Sequence, residues 1–162
     1  MGQSRKKWKK RSGGTADSQH KATIFIDRNS GGRNSKEIIL GAGINVLLHD
    51  EHLKNNTTDD HVWIKEIANL GWIMVSCDFK IANTPLSLHA IQNSTAKIFL
   101  LSGLNGATPQ GKADCIIKYY NTMLEISASR KAPFLARIDL DGKVHFVDVE
   151  GKLDKMHKGR RI

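Results

Sequence analysis

The chain has 162 residues, 40% of them hydrophobic, which is enough for one domain with a core of its own. No apolar run approaches a membrane span, and no CxxC or Cys/His spacing suggests zinc, so Cys77 and Cys115 read as buried thiols in a reducing compartment. The net charge of +9 sits at the ends: residues 1–22 hold seven Lys and Arg against Asp17, residues 152–162 hold five against Asp154, and the middle is nearly neutral, a pattern suited to RNA or an acidic protein as partner.

Residues 1–21, with SRKKWKKRSGG, read as a flexible basic arm whose Trp8 could stack on a base or pack on a neighbour. The arm lacks the apolar stretch of a secretory signal, and Lys6 breaks the myristoylation pattern that Met1-Gly2 begins. A cytoplasmic protein is expected. A folded domain is expected over 22–150, with a β-hairpin at about 134–149, followed by a basic tail over 151–162.

Ala22 to Ile26 is a β-rich run ending at Asp27, and a polar loop follows. Lys36 to Gly43 reads as a short helix stopped by glycine, and Asn45 to His49 as the second strand. The polar stretch from Asp50 to Asp60 reads as a loop in which Thr58, Asp59 or Asp60 could cap a helix. Trp63, Ile64, Ile67 and Leu70 have helical spacing, and Gly71 ends that helix. Trp72 to Cys77 is a third strand ending at Asp78, residues 82–93 read as a helix, and Ala96 to Ser102 is a fourth strand. Pro109 opens a long helix with Ala113, Ile116, Ile117, Tyr120, Met123 and Leu124 on one face. Phe134 to Val149 holds two strand-like runs around Asp141-Gly142, a hairpin signal. Continuous apolar strands separated by helices predict an α/β fold, with a mostly parallel sheet covered on both faces.

The carboxylates carry the chemistry. Asp27 follows the first strand and Asp78 the third, and in a parallel sheet both lie at the carboxyl edge, where such folds place their ligand crevice. Asp59 and Asp60 begin the helix after the second strand and reach the same edge. Converging carboxylates repel one another unless a cation is present, and a hard ion such as Mg²⁺ or Mn²⁺ suits such oxygen donors. In-line attack of water on a phosphodiester is the chemistry such a centre supports. Taken singly, each acid is also what a turn or a helix start contains.

These residues resemble a known family. The segments IFIDRN, INVLLHDEHLKNNTTDDHVWIKEIANLGWIMVSCDFKI, KIFLL and APFLARIDLDGKV are similar, in order, to the PIN-like domain of VapC-type toxins, over about Ala22 to Val144. The nearest group is a compact PIN-like subfamily. The most specific piece is the acid three residues before Trp63, followed by a Gly-Trp strand and the run from Cys77 to Ile81. The resemblance implies a three-layer α/β/α sandwich, a Mg²⁺ or Mn²⁺ site, ribonuclease activity, a protein antitoxin and a possible homodimer. Carried over, Asp27, Asp60 and Asp78 are the core acids of the site. The broader pattern has a further acid: Glu37 is one option, and Asp50 or Glu51, directly after the second strand, are favoured, leaving open whether one ion or two are held. Arg28, Asn29, Arg33 and Lys80 are candidates for holding a substrate phosphate, and His49, His52 and His61 lie near the acids in sequence.

Three other readings differ in their needs. A phospho-receiver domain wants an acid pair at the first strand, a hydroxyl after the fourth, where Ser102 stands, and a lysine after the fifth. A haloacid-dehalogenase-type phosphatase wants Asp-x-Asp where this chain has Asp27-Arg28-Asn29. A non-catalytic RNA- or antitoxin-binding module could use the same frame without cutting.

Overall fold

Continuous apolar runs too short for helices form strands that need cover on both faces. The computed structural model, which describes residues 22–52 and 59–159, gathers these runs into one six-stranded sheet. The basic arm with Trp8, the Thr58 cap and the last three residues of the tail lie outside the described residues. Strands β1 (Ile24–Ile26), β2 (Val46–Leu48), β3 (Ile73–Ser76), β4 (Lys97–Leu101) and β5 (Phe134–Ile138) are parallel. Strand β6 (Val144–Phe146) returns antiparallel along β5, and the order is β2-β1-β3-β4-β5-β6. The helices are α1 (Gly32–Gly41), α2 (His49–His52), α3 (Asp60–Asn69), α4 (Pro85–Gln92), α5 (Pro109–Ser129) and α6 (Val149–Gly159).

Strand alternation sorts the core into two layers. Ile24, Ile26, Val75 and Phe99 pack with Ile39 of α1 and with Ile116 and Met123 of α5. Phe25, Met74, Ile98 and Leu100 face the other way, onto Trp63 and Ile67 of α3, Leu88 of α4 and Leu153 of α6. The expected three-layer α/β/α sandwich is the architecture observed.

Four details differ from the sequence reading. Helix α1 begins at Gly32 rather than Lys36, because the polar Arg33 and Asn34 continue the helix on its exposed side. The buried face of α5 is rotated: Cys115 and Tyr119 are buried, while Ile117, Tyr120 and Leu124 are only partly covered. The turn at Asp141-Gly142 exists, with Asp139 N–H donating to the Lys143 carbonyl at 2.9 Å. Its first strand is no appendage, however, because the buried Phe134, Leu135, Ala136 and Ile138 require β5 to sit beside β4 as the fifth parallel strand. Where a tail is expected from residue 151, helix α6 forms instead, with Val149, Leu153 and Met156 at helical spacing against the core.

Candidate functional site

The sheet order reverses between β1 and β3, and a crevice opens at such a switch point beyond the carboxyl ends of the strands. Asp27 directly follows β1, and Asp78 lies two residues beyond the end of β3. The intervening α3 starts at this edge with Asp60. All three carboxylates line one small cavity of about 100 Å³, together with Asn29, His49 and Trp63.

Each carboxylate is held by its own donors. Asp27 is buried at 7% exposure; it accepts from the Ser30 hydroxyl at 2.7 Å and from the Ser76 hydroxyl. Burial raises its pKa, the two serine hydrogen bonds oppose that rise, and the neighbouring charges of Asp78 and Asp60 add to it. Asp78 accepts from the Asn29 amide at 3.1 Å and from the Lys80 backbone N–H at 3.0 Å. Asp60 accepts from the Trp63 indole N–H at 2.9 Å. Ser76 links two of the acids, because its hydroxyl oxygen also accepts from the Asp78 N–H at 3.0 Å.

The loop after β1 depends on one glycine. Gly31 has φ +103°, and a Cβ there would meet the Ser35 Cβ at 2.7 Å and the Pro109 Cα at 3.2 Å. Only glycine lets the chain turn this tightly from Asp27 into α1 while α5 packs against the turn.

The proposed fourth acids stand beside this cavity. Asp50 and Glu51 lie on the single-turn helix α2 rather than in a loop, because α2 begins directly where β2 ends. They line an adjacent cavity of about 310 Å³ with Asp27, Arg28, Arg33 and His49. Asp50 accepts from Arg28 Nε at 2.7 Å, and Glu51 pairs with Lys36. Burial pushes the Asp50 carboxyl up, and hydrogen bonds from His49 and Arg28 outweigh it, leaving Asp50 below the ordinary value. Glu37 is exposed on α1 and lines neither cavity. His49 is the histidine brought to the acids: it is buried and packs edge-on against Trp63. His52 instead packs on Trp72, near Glu66.

On the other side, a cavity of about 270 Å³ adjoins Asn29 and Asp78 and is lined by Lys80, Asn105 and Lys112. Lys112 reaches from α5 to donate to the Asn29 carbonyl at 2.7 Å. Cys77 also lines this space, but burial pushes its thiol up to about 11, so it is no thiolate nucleophile at neutral pH. A separate cavity of about 440 Å³ lies near Arg130, Phe134 and Phe146 and contains none of the acids at the carboxyl edge.

A hard divalent cation suits this donor set in kind, since three carboxylates share one cavity and one is buried and disfavoured as a lone charge. Among the described residues, however, no three His, Cys, Asp or Glu side chains stand close enough to hold one ion as they are placed. The hydrogen bonds account for the spread: Trp63, Asn29 and the two serines each draw one carboxylate to its own wall.

Sequence reasoning missed Ser30, Ser76 and Lys112. Ser76 had a signal, because a hydroxyl in an otherwise buried strand must find a partner, and here it finds Asp27. Lys112 had none, since only folding brings it to Asn29.

The phospho-receiver alternative fails on the same edge. Ser102 donates to Asp139 at 2.8 Å, and Asp139, not a lysine, follows β5.

The fold and edge together define a doubly wound α/β domain with an acidic crevice at its switch point. The family model described as a PIN like domain matches residues 22–103, about half of the chain, and the chain belongs to that family. Domains of this family are typically nucleases and generally use divalent metal ions. No curated protein and no solved structure matches the chain. Among the described residues, no helix is long and apolar enough to cross a membrane.

Proposed function

We propose that this protein is an endoribonuclease that hydrolyses RNA phosphodiester bonds at the crevice of Asp27, Asp60 and Asp78, with Mg²⁺ or Mn²⁺ as cofactor. The observation that carries the reading is the sharing of one cavity by these three carboxylates at the switch point of a PIN-like domain. A bound divalent ion would supply charge neutralisation at the scissile phosphate and a water acidic enough to attack it. The chain's own residues prepare that chemistry. Ser30 and Ser76 orient Asp27, Asn29 fixes one oxygen of Asp78, and Trp63 fixes one oxygen of Asp60. Asp50 and Glu51 remain the favoured source of a fourth ligand, reached if Arg28 and Lys36 release them to the substrate. In the hydrolysis, water forms one new bond to phosphorus, one ester bond breaks, and the departing oxygen takes a proton.

By resemblance to VapC-type toxins, we place the protein in the cytoplasm as the toxin of a toxin–antitoxin pair, with a protein antitoxin that covers the crevice. A homodimer belongs to the same reading.

A second reading, a binding module that does not cut, is favoured by the separation of the carboxylates onto different donors. The test is cleavage of total RNA by the purified full chain, with and without Mn²⁺ or Mg²⁺, beside Asp27→Asn and Asp78→Asn. Metal-dependent cutting that both substitutions abolish establishes the nuclease. RNA binding without cutting, and no heat of metal binding by calorimetry, supports the module instead.

A further inference from the structure

The acid cavity has a neighbour on each side, and the three run in the order of the strands. The β2-side cavity shares Asp27, Arg28 and His49 with it, and the α5-side cavity shares Asn29 and Asp78. Charge is uneven along this line. Arg28 and Arg33 line one end together with the acids Asp50 and Glu51, the three core carboxylates the middle, and Lys80 and Lys112 the other end, where Asp78 is the one acid. A polynucleotide strand carries a phosphate at every nucleotide, so it can lay one at the Lys80–Lys112 end, where cations outnumber acids, while its neighbour lies over the acids.

We infer that the cavity lined by Lys80, Asn105 and Lys112 is a backbone-phosphate subsite, which seats the phosphate next to the scissile one in a single-stranded nucleic acid. This rests on the nuclease reading for which phosphate is cut, but not for binding itself. Lys112 is the central residue. It is half-buried on α5, and its ammonium is already positioned by the Asn29 carbonyl at 2.7 Å. Asn29 in turn donates to Asp78, so Lys112 lies one residue away from the acids. Lys80, which lines the same cavity, is exposed, and its N–H holds Asp78. A cation placed here draws the phosphate without entering the acid cavity, where it would compete with a metal ion.

The subsite reads phosphate and not sugar, so it takes RNA and single-stranded DNA alike. The test uses the full-length protein and a fluorescently labelled single-stranded RNA of about 12 nucleotides, beside a DNA of the same sequence. Binding is followed by fluorescence anisotropy across a salt series, without divalent ions. Lys112→Gln is expected to weaken both ligands about 10-fold, as the loss of one charge-assisted hydrogen bond does. It should also lower the slope of log K against log salt by about 0.7. Lys112→Arg should restore both, and Lys80→Gln provides a second variant whose exposed side chain can be changed with little effect on folding. Unchanged affinity and slope in Lys112→Gln and Lys80→Gln would overturn the subsite, as would a wild-type protein that binds neither ligand. A loss confined to RNA would assign the contact to the 2′-hydroxyl and also overturn it. Cleavage measured in parallel separates the two ideas. Binding that depends on Lys112 without cutting keeps the subsite and removes the nuclease. Metal-dependent cutting that Lys112→Gln leaves intact, with unchanged binding, does the reverse.

Discussion

Replacing Asp27 by Asn removes a buried carboxyl group that two hydroxyls and two neighbouring carboxylates surround, and with it the cost of ionising that group inside the fold. Because the folded protein raises the Asp27 pKa above its ordinary 3.8, the folded state holds that proton more tightly than the unfolded chain does. Stability from this group is therefore present at low pH and lost as pH rises through the folded value. Metal-free Asp27→Asn should be more stable than wild type at neutral pH, and the gain should shrink as pH falls towards 3.8, as urea unfolding at several pH values would show. The same substitution should reduce metal-dependent cleavage by about 100-fold or more, and so should Asp78→Asn, measured on one RNA substrate. Proton and metal compete for the same oxygens, so calorimetry should find metal affinity falling on the acid side at a pH above the usual carboxylate range.

At the scale of elements, the turn between β1 and α1 and the helix α6 can each be tested by one substitution. Gly31→Ala puts a Cβ against Ser35 and the Pro109 backbone at a positive φ, and should cost roughly 1–3 kcal/mol in thermal or denaturant unfolding. Leu153 is 3% exposed and packs α6 onto the layer of Trp63 and Leu88. Leu153→Ala should therefore cost about 2–5 kcal/mol by the same measurement, whereas a solvated tail would lose nothing. Helix α5 begins sharply because Thr108 accepts from the Gly111 N–H at 3.1 Å and Pro109 takes the first position. That start fixes the turn from which Lys112 reaches Asn29.

Across the whole molecule, the charge is distributed unevenly. The carboxyl edge gathers acids that repel a nucleic acid, while the basic residues of the sequence concentrate at its two ends. Long-range attraction must then come from the ends, and seating from the cations that flank the crevice. Removing residues 1–21 should weaken RNA binding, with the deficit shrinking as salt rises, and should leave calorimetric metal binding unchanged. Equal binding by the shortened protein across the salt series would make the arm a bystander.

The strands, their parallel order of appearance and the acids at their ends were legible in one dimension, because hydrophobic runs and the residues that end them are local features. Asp27 and Asp78 could be placed at one edge on that ground alone, since parallel strands all end on the same side, and Asp60 joins them as the start of the helix that leads into β3. Tertiary packing decided the rest. It set β5 beside β4, turned the last basic segment into a helix and rotated the buried face of α5, because each depends on surfaces that other elements provide. It also gave Asp27 its two serines and Asp50 its arginine, and brought Lys112 to Asn29 across most of the domain. All of those contacts except Asp27–Ser30 join residues far apart in the chain, and their energies depend on burial, which no local pattern encodes.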